Sequence, residues 1–86
     1  MEIDSTIYNL PARTKLRAIG KNHIGIVKLI KSRIIQKDAF KIVEMSIHIK
    51  EIEPNVKVSL ICTSNICSKS QSLLKSEGIT IVIEEL

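Results

Sequence analysis

The segment HIGIVKLIKSRIIQKDAFKIVEMSIHIKE, residues 23–51, decides the fold, because its hydrophobic period changes partway along. From His23 to Lys31 (HIGIVKLIK) it is apolar and β-branched, the composition of a strand. From Gln36 to Glu53 the repeat is helical. Phe40, Val43 and Ile47 form one apolar row, and Ala39, Ile42, Ser46, Ile49 and Ile52 form a neighbouring one. Asp38 suits the first turn, where a carboxylate meets the positive end of the helix dipole, and Glu53-Pro54-Asn55 ends the helix. An apolar face this wide is either covered on two sides within the fold or offers its second row to a partner. A second copy of the chain is the simplest partner, so a homodimer through this helix or through an edge strand is expected.

Upstream, residues 14–19 (TKLRAI) alternate, with Lys15 and Arg17 on one face and Leu16 on the other. Gly20-Lys21-Asn22 reads as a turn that joins this run to the strand at His23, making a hairpin. Residues 2–8 (EIDSTIY) alternate weakly and predict an edge strand. Downstream, Val56 to Cys62 (VKVSLIC) has the character of a buried strand. Residues 67–76 (CSKSQSLLKS) predict a short helix with a Ser cap and Leu73 and Leu74 inward, Gly78 stops it, and Ile79 to Ile83 (ITIVI) is a strand. The expectation is an α/β fold: a small mixed sheet in which an N-terminal hairpin is followed by β-α-β-α-β, with the last three strands parallel through right-handed crossovers.

At 86 residues the chain is expected to make one domain, residues 1–86, with a modest core. A content of 44% hydrophobic and 26% charged residues with three Gly and two Pro excludes a disordered or collagen-like chain. Tyr8 and Phe40 are the only aromatic residues, so the core must be aliphatic. Glu2 and Asp4 open the chain where a signal peptide would be basic, and no apolar run approaches the roughly 18 residues of a membrane span. A cytoplasmic protein with no membrane partner and two reduced cysteines is expected.

The second strand of the parallel set runs into ICTSNICSKS, which resembles the signature of the low-molecular-weight tyrosine phosphatases, Cys-x-x-Asn-x-Cys-Arg-Ser, at Cys62, Asn65 and Cys67. The resemblance covers about a dozen residues and implies Cys62 as a nucleophile in a loop that holds phosphate with backbone N–H groups and an arginine fork. Ser68 stands at the arginine position, and Lys69, one residue on, is a point charge rather than a fork. No Asp follows Cys67 to act as general acid. The residues therefore favour a strand-to-helix turn whose cysteines act as small hydrophobes. Two Cys without neighbouring His or Cys cannot complete a zinc site, and no metal-ligand set is expected.

Charge is uneven. Residues 1–43 hold nine Lys or Arg against three acids, while residues 44–86 hold four against six. Between Asp4 and Asp38 there is no acid at all, and Arg13, Lys15, Arg17, Lys21, Lys28, Lys31, Arg33 and Lys37 occupy the interval. Such a patch predicts a polyanion partner, DNA or RNA, against the plain alternative that edge-strand lysines only keep the protein soluble. Two aromatic residues leave little to stack on bases, so contacts to a duplex backbone fit better than a single-strand platform.

The run from His23 through GITIVIEEL also resembles the second half of restriction-endonuclease-like nuclease domains, over about sixty residues. In those domains a hairpin strand carries a carboxylate-x-Lys pair ahead of a long helix and a strand-helix-strand return. The resemblance implies Lys31 as the catalytic lysine, with Lys28, Arg33 and Lys37 on the substrate side. Leu29 occupies the position of the metal-binding carboxylate, and Glu2 and Asp4 are the only acids upstream. Without carboxylates to hold Mg²⁺ or Mn²⁺ the implied catalysis fails, leaving a binding or scaffolding domain. The favoured function is therefore a non-catalytic, basic nucleic-acid-associated protein. The alternatives are a residual metal-dependent nuclease using Asp4 and Lys31, and a homodimeric protein-interaction or assembly module. His23 and His48 have no partner at a recognisable spacing and read as boundary residues.

Overall fold

The computed structural model describes residues 2–84. The chain runs through β1 (Glu2–Ile3), a single 3-10 turn (Ser5–Tyr8), β2 (Leu16–Gly20), β3 (His23–Lys28), α1 (Gln36–Ile52), β4 (Lys57–Cys62), α2 (Ser68–Ser76) and β5 (Thr80–Ile83). The strands form one mixed sheet in the order β1-β2-β3-β4-β5. β1, β2 and β3 pair antiparallel, and β3, β4 and β5 pair parallel. The expected α/β class, with its hairpin and two β-α-β returns, is present.

Two local expectations are corrected. Only Glu2–Ile3 of the run 2–8 pairs as a strand, against Arg17 and Leu16. Asp4 then accepts hydrogen bonds from the Thr6 N–H at 3.0 Å and the Thr6 hydroxyl at 2.6 Å, so a side-chain cap diverts the backbone into a 3-10 turn. Cys67, not a serine, caps α2: its Sγ accepts from the Ser70 N–H at 3.4 Å. Where the sequence was read correctly, the expected devices are in place. The Asp38 carboxylate accepts from the Ile35 N–H at 3.1 Å, Asn22 takes the left-handed conformation of the hairpin turn, and Gly78, with φ +76°, ends α2.

Strand order places both helices. β3, β4 and β5 are adjacent in sequence order, so two crossovers of the same hand, as parallel β-α-β units take, advance in one direction, and the contact between α1 and α2 puts them side by side on the same sheet face. Alternation confirms it. Leu16, Ile24, Ile26, Val58, Leu60 and Cys62 point to that face and join Ala39, Ile42 and Ile49 of α1 and Leu74 of α2 in one buried cluster. Of the two apolar rows expected on α1, one is buried through Ala39, Ile42, Ser46 and Ile49 but ends at an exposed Ile52, and in the other Val43 packs against the core whereas Phe40 and Ile47 are 54% and 51% exposed. The other sheet face carries Arg17, Ile19, His23, Ser59, Ile61, Thr80 and Val82 and has no helix over it. Ile61 is nonetheless buried there, because Gly25 leaves a notch that the ends of Ile61 and Ile19 fill. No helix among the described residues is long and apolar enough to cross a membrane.

Tyr8 ties the N-terminal turn to the end of α1. Its ring lies in the core at 2% exposure and its hydroxyl donates to Glu53 Oε1 at 2.6 Å. Burial, then the hydrogen bond to Glu53, pushes the phenol up to about 12. The unfolded chain releases this proton near pH 10, so folding stability falls as pH climbs from about 10 to about 12. Ultraviolet titration should show no tyrosinate in the folded protein at pH 10.5, and Tyr8→Phe should flatten the alkaline loss of stability.

Candidate nucleic-acid interface

The end of the sheet where β2 begins and β3 finishes opens into a groove of about 680 Å³. Leu16, Ile26, Ile30 and Met45 give it an apolar floor, Lys28 and Lys41 border it on that same face with Arg13 from the approach to β2, and Lys15 and Arg17 adjoin it from positions that alternate with Leu16 and so belong to the other sheet face. Each cation arrives by a different local logic. Lys15 and Arg17 take the alternate positions to Leu16, whereas Lys28 shares the face of Ile24 and Ile26 but lies at the strand end, past the core. Lys41 and Met45 come from one side of α1, four residues apart.

Among the described residues no carboxylate lines this groove. Among the described residues the one ion pair is Arg17–Glu84 at 2.9 Å, which partly compensates Arg17 and leaves Arg13, Lys15, Lys28 and Lys41 without a carboxylate at ion-pair distance. A smaller recess beside the groove shares Arg13, Thr14, Lys15 and Leu16 with it and holds Asp4. The Thr6 hydroxyl, then the Thr6 N–H, keep that carboxyl below its ordinary value.

Of the eight basic residues marked by the sequence, the groove gathers Arg13, Lys15, Arg17 and Lys28, and it adds Lys41. Lys21 lies in the hairpin turn at the far end of β2 and β3. Lys31 and Arg33 belong to the segment after β3, which is laced to the loop after β4: Asn65 Nδ2 donates to the Lys31 carbonyl at 3.1 Å, and Ile34 and Ile66 form a parallel bridge. Lys37 lies in the first turn of α1. The acid-free interval thus spreads over the groove, the far hairpin turn and the segment that leads from β3 into α1. Lys41 lies just beyond Asp38, outside that interval, and only its place on the helix face toward Met45 joins it to the hairpin.

The cysteine loop lacks the machinery of a phosphate cradle. Cys62 is wholly buried in the core, on the same face as Leu60 and Val58, so the nucleophile position implied by the phosphatase signature faces away from any ligand. Three backbone N–H groups of the loop are already engaged: Asn65 with Thr63 Oγ1, Ile66 with the Ser64 carbonyl and Cys67 with the Ile34 carbonyl. The partly exposed thiol is Cys67. The Ser70 hydroxyl and the Ser70 N–H hold it below an ordinary cysteine, with a smaller pull from Arg33. Iodoacetamide should therefore modify Cys67 in the folded protein, with a rate that rises at lower pH than for a free thiol, and reach Cys62 only on unfolding. Equal modification of both in the folded state would contradict the burial.

Of the residual nuclease pair, Asp4 follows β1 and its carboxylate is engaged with Thr6, whereas Lys31 follows β3 and its carbonyl accepts from Asn65 Nδ2. Among the described residues no three His, Cys, Asp or Glu side chains are grouped to hold a metal ion, so the donor set for Mg²⁺ or Mn²⁺ does not fit.

One polar contact went unread in the sequence. His23 Nε2 lies 2.5 Å from Ser59 Oγ, which also bonds the Thr80 hydroxyl, a chain across β3, β4 and β5 on the uncovered face. The partners lie far from His23 in sequence, and only the register that pairs Gly25 with Ser59 reveals them. No family model, no curated protein and no solved structure matches this chain in comparisons with known proteins.

Proposed function

We propose that this protein binds the phosphate backbone of duplex nucleic acid, without catalysis, through the basic groove beside β2, β3 and α1. The observation that carries the reading is the grouping of Arg13, Lys28 and Lys41, from three separate segments, at one groove, with Lys15 on the adjoining face of β2 and no acid in the lining among the described residues. Unpaired cations grouped this way release counterions from a polyanion on binding. A duplex suits the surface better than a splayed single strand. Tyr8 is buried and Phe40 lies on the outside of α1 away from the groove, so no aromatic platform is available to stack bases. The nuclease alternative is disfavoured because no group of three His, Cys, Asp or Glu side chains among the described residues could hold a metal ion.

The test is a fluorescence-anisotropy titration of labelled 20-bp DNA and RNA duplexes at about 50 mM salt, with Mn²⁺ in a parallel sample. Saturable binding with intact duplex is expected. Absence of binding to either duplex would overturn the reading in favour of a protein-interaction module, and Mn²⁺-dependent cleavage lost in Asp4→Ala would replace it with the nuclease.

A further inference from the structure

The outer face of α1 is apolar where a solvated helix would be polar. Phe40, the only phenylalanine in the chain, and Ile47 stand seven residues apart on the same stripe and are both more than half exposed. Along the line beside them run Lys37, Glu44 and Glu51, again seven apart, basic at the N-terminal end and acidic toward the C-terminal end. Two copies of this helix can meet in two ways. Parallel pairing sets Lys37 against Lys37, Glu44 against Glu44 and Glu51 against Glu51, three like-charge contacts. Antiparallel pairing about a two-fold axis at Glu44 sets Lys37 against Glu51 of the partner subunit twice, with one like-charge contact at the axis, and brings Phe40 toward Ile47 of the partner subunit.

We infer that the protein forms a homodimer in which the α1 helices pack antiparallel, with the two-fold axis at Glu44 and the Phe40–Ile47 stripe buried between the copies. The surface is its own complement, as an isologous interface requires, and the charge gradient along α1 selects the direction. Of the groove cations, Arg13, Lys15 and Lys28 lie off this helix, whereas Lys41 lies on it beside Phe40, so the groove borders the interface while Phe40, Ile47, Lys37 and Glu51 lie outside the groove.

Sedimentation equilibrium and cross-linking test it together. The wild-type chain should be a dimer at 100 µM, and Phe40→Glu, an exposed position whose change leaves the core intact, should raise the dissociation constant at least a hundredfold. Lys37→Glu should weaken the dimer, and Lys37→Glu combined with Glu51→Lys should restore it. In a Cys67→Ser background, Glu44→Cys should form an intermolecular disulfide under mild oxidation, whereas Glu51→Cys should not. Two copies of position 51 lie about 20 Å apart when the axis is seven residues away at 1.5 Å per residue. A wild-type monomer at several hundred micromolar, a dimer indifferent to Phe40→Glu, or efficient cross-linking through position 51 would each overturn the arrangement.

Discussion

Replacing Arg13, Lys15, Lys28 and Lys41 together by alanine is expected to weaken duplex binding at least a hundredfold at about 50 mM salt. The size follows from counterion release. Four phosphate contacts give a slope of about −3.6 in log affinity against log salt, and such a slope alone is worth about a hundredfold between 50 and 200 mM. The four side chains sit on a groove rim rather than in the core, so the variant should keep its fold, with each change altering stability by about 0.5 kcal/mol or less. The aliphatic stems of Lys28 and Lys41 rest near Ile26 and Met45, and methionine at those two positions would keep that packing while removing the charge. Anisotropy titration reads the affinity and circular dichroism checks the fold. A quadruple variant that binds like wild type would remove the groove from the account.

The second large effect belongs to the core. Leu60 lies at the centre of β4, wholly buried, between Ile26 on β3 and Ile81 on β5 and under both helices. Leu60→Ala should cost about 2–5 kcal/mol, from lost burial and from the cavity left behind. Against the roughly 0.05–0.15 kcal/mol per residue that a native domain holds, this is a large share of the total stability of so small a chain. The melting temperature should fall by at least about 10 °C. Ile83→Ala, at a half-exposed position on the edge strand, should change it little. Equal losses at the two positions would mean that the core is not centred on β4.

The second half of the fold was legible because its signals are local. The helical period begins at Gln36, Pro54 and Gly78 stop the helices, Val56–Cys62 has the character of a buried strand, and Ile79–Ile83 is a β-branched run that reads as a strand. The start of the chain was misread because Ile3, Ser5 and Ile7 alternate like a strand, while Asp4-Ser5-Thr6 carries a capping preference that wins once Asp4 bonds Thr6. Cys62 could have been placed from alternation alone, since it is in step with Val58 and Leu60 and hence with the core. The groove was half legible. An acid-free run of Lys and Arg marks a basic surface, yet the run passes through the groove, the far hairpin turn and the segment before α1, and the lysine that closes the groove, Lys41, comes from the helix beyond it. Which row of α1 stays exposed depends on the angle at which the helix lies on the sheet, and no local pattern encodes that angle.

The most direct measurement is the salt dependence of duplex affinity in three proteins of known charge. These are the wild type, the groove variant with alanine at Arg13, Lys15, Lys28 and Lys41, and a matched variant with alanine at Lys21, Lys31, Arg33 and Lys57, which lie outside the groove. Both variants lose four positive charges. The log–log slope should be about −3.6 in the wild type, close to zero in the groove variant and nearly unchanged in the matched one. Equal flattening in both variants would mean that net charge, and not the groove, attracts the polyanion, and the central claim would fail.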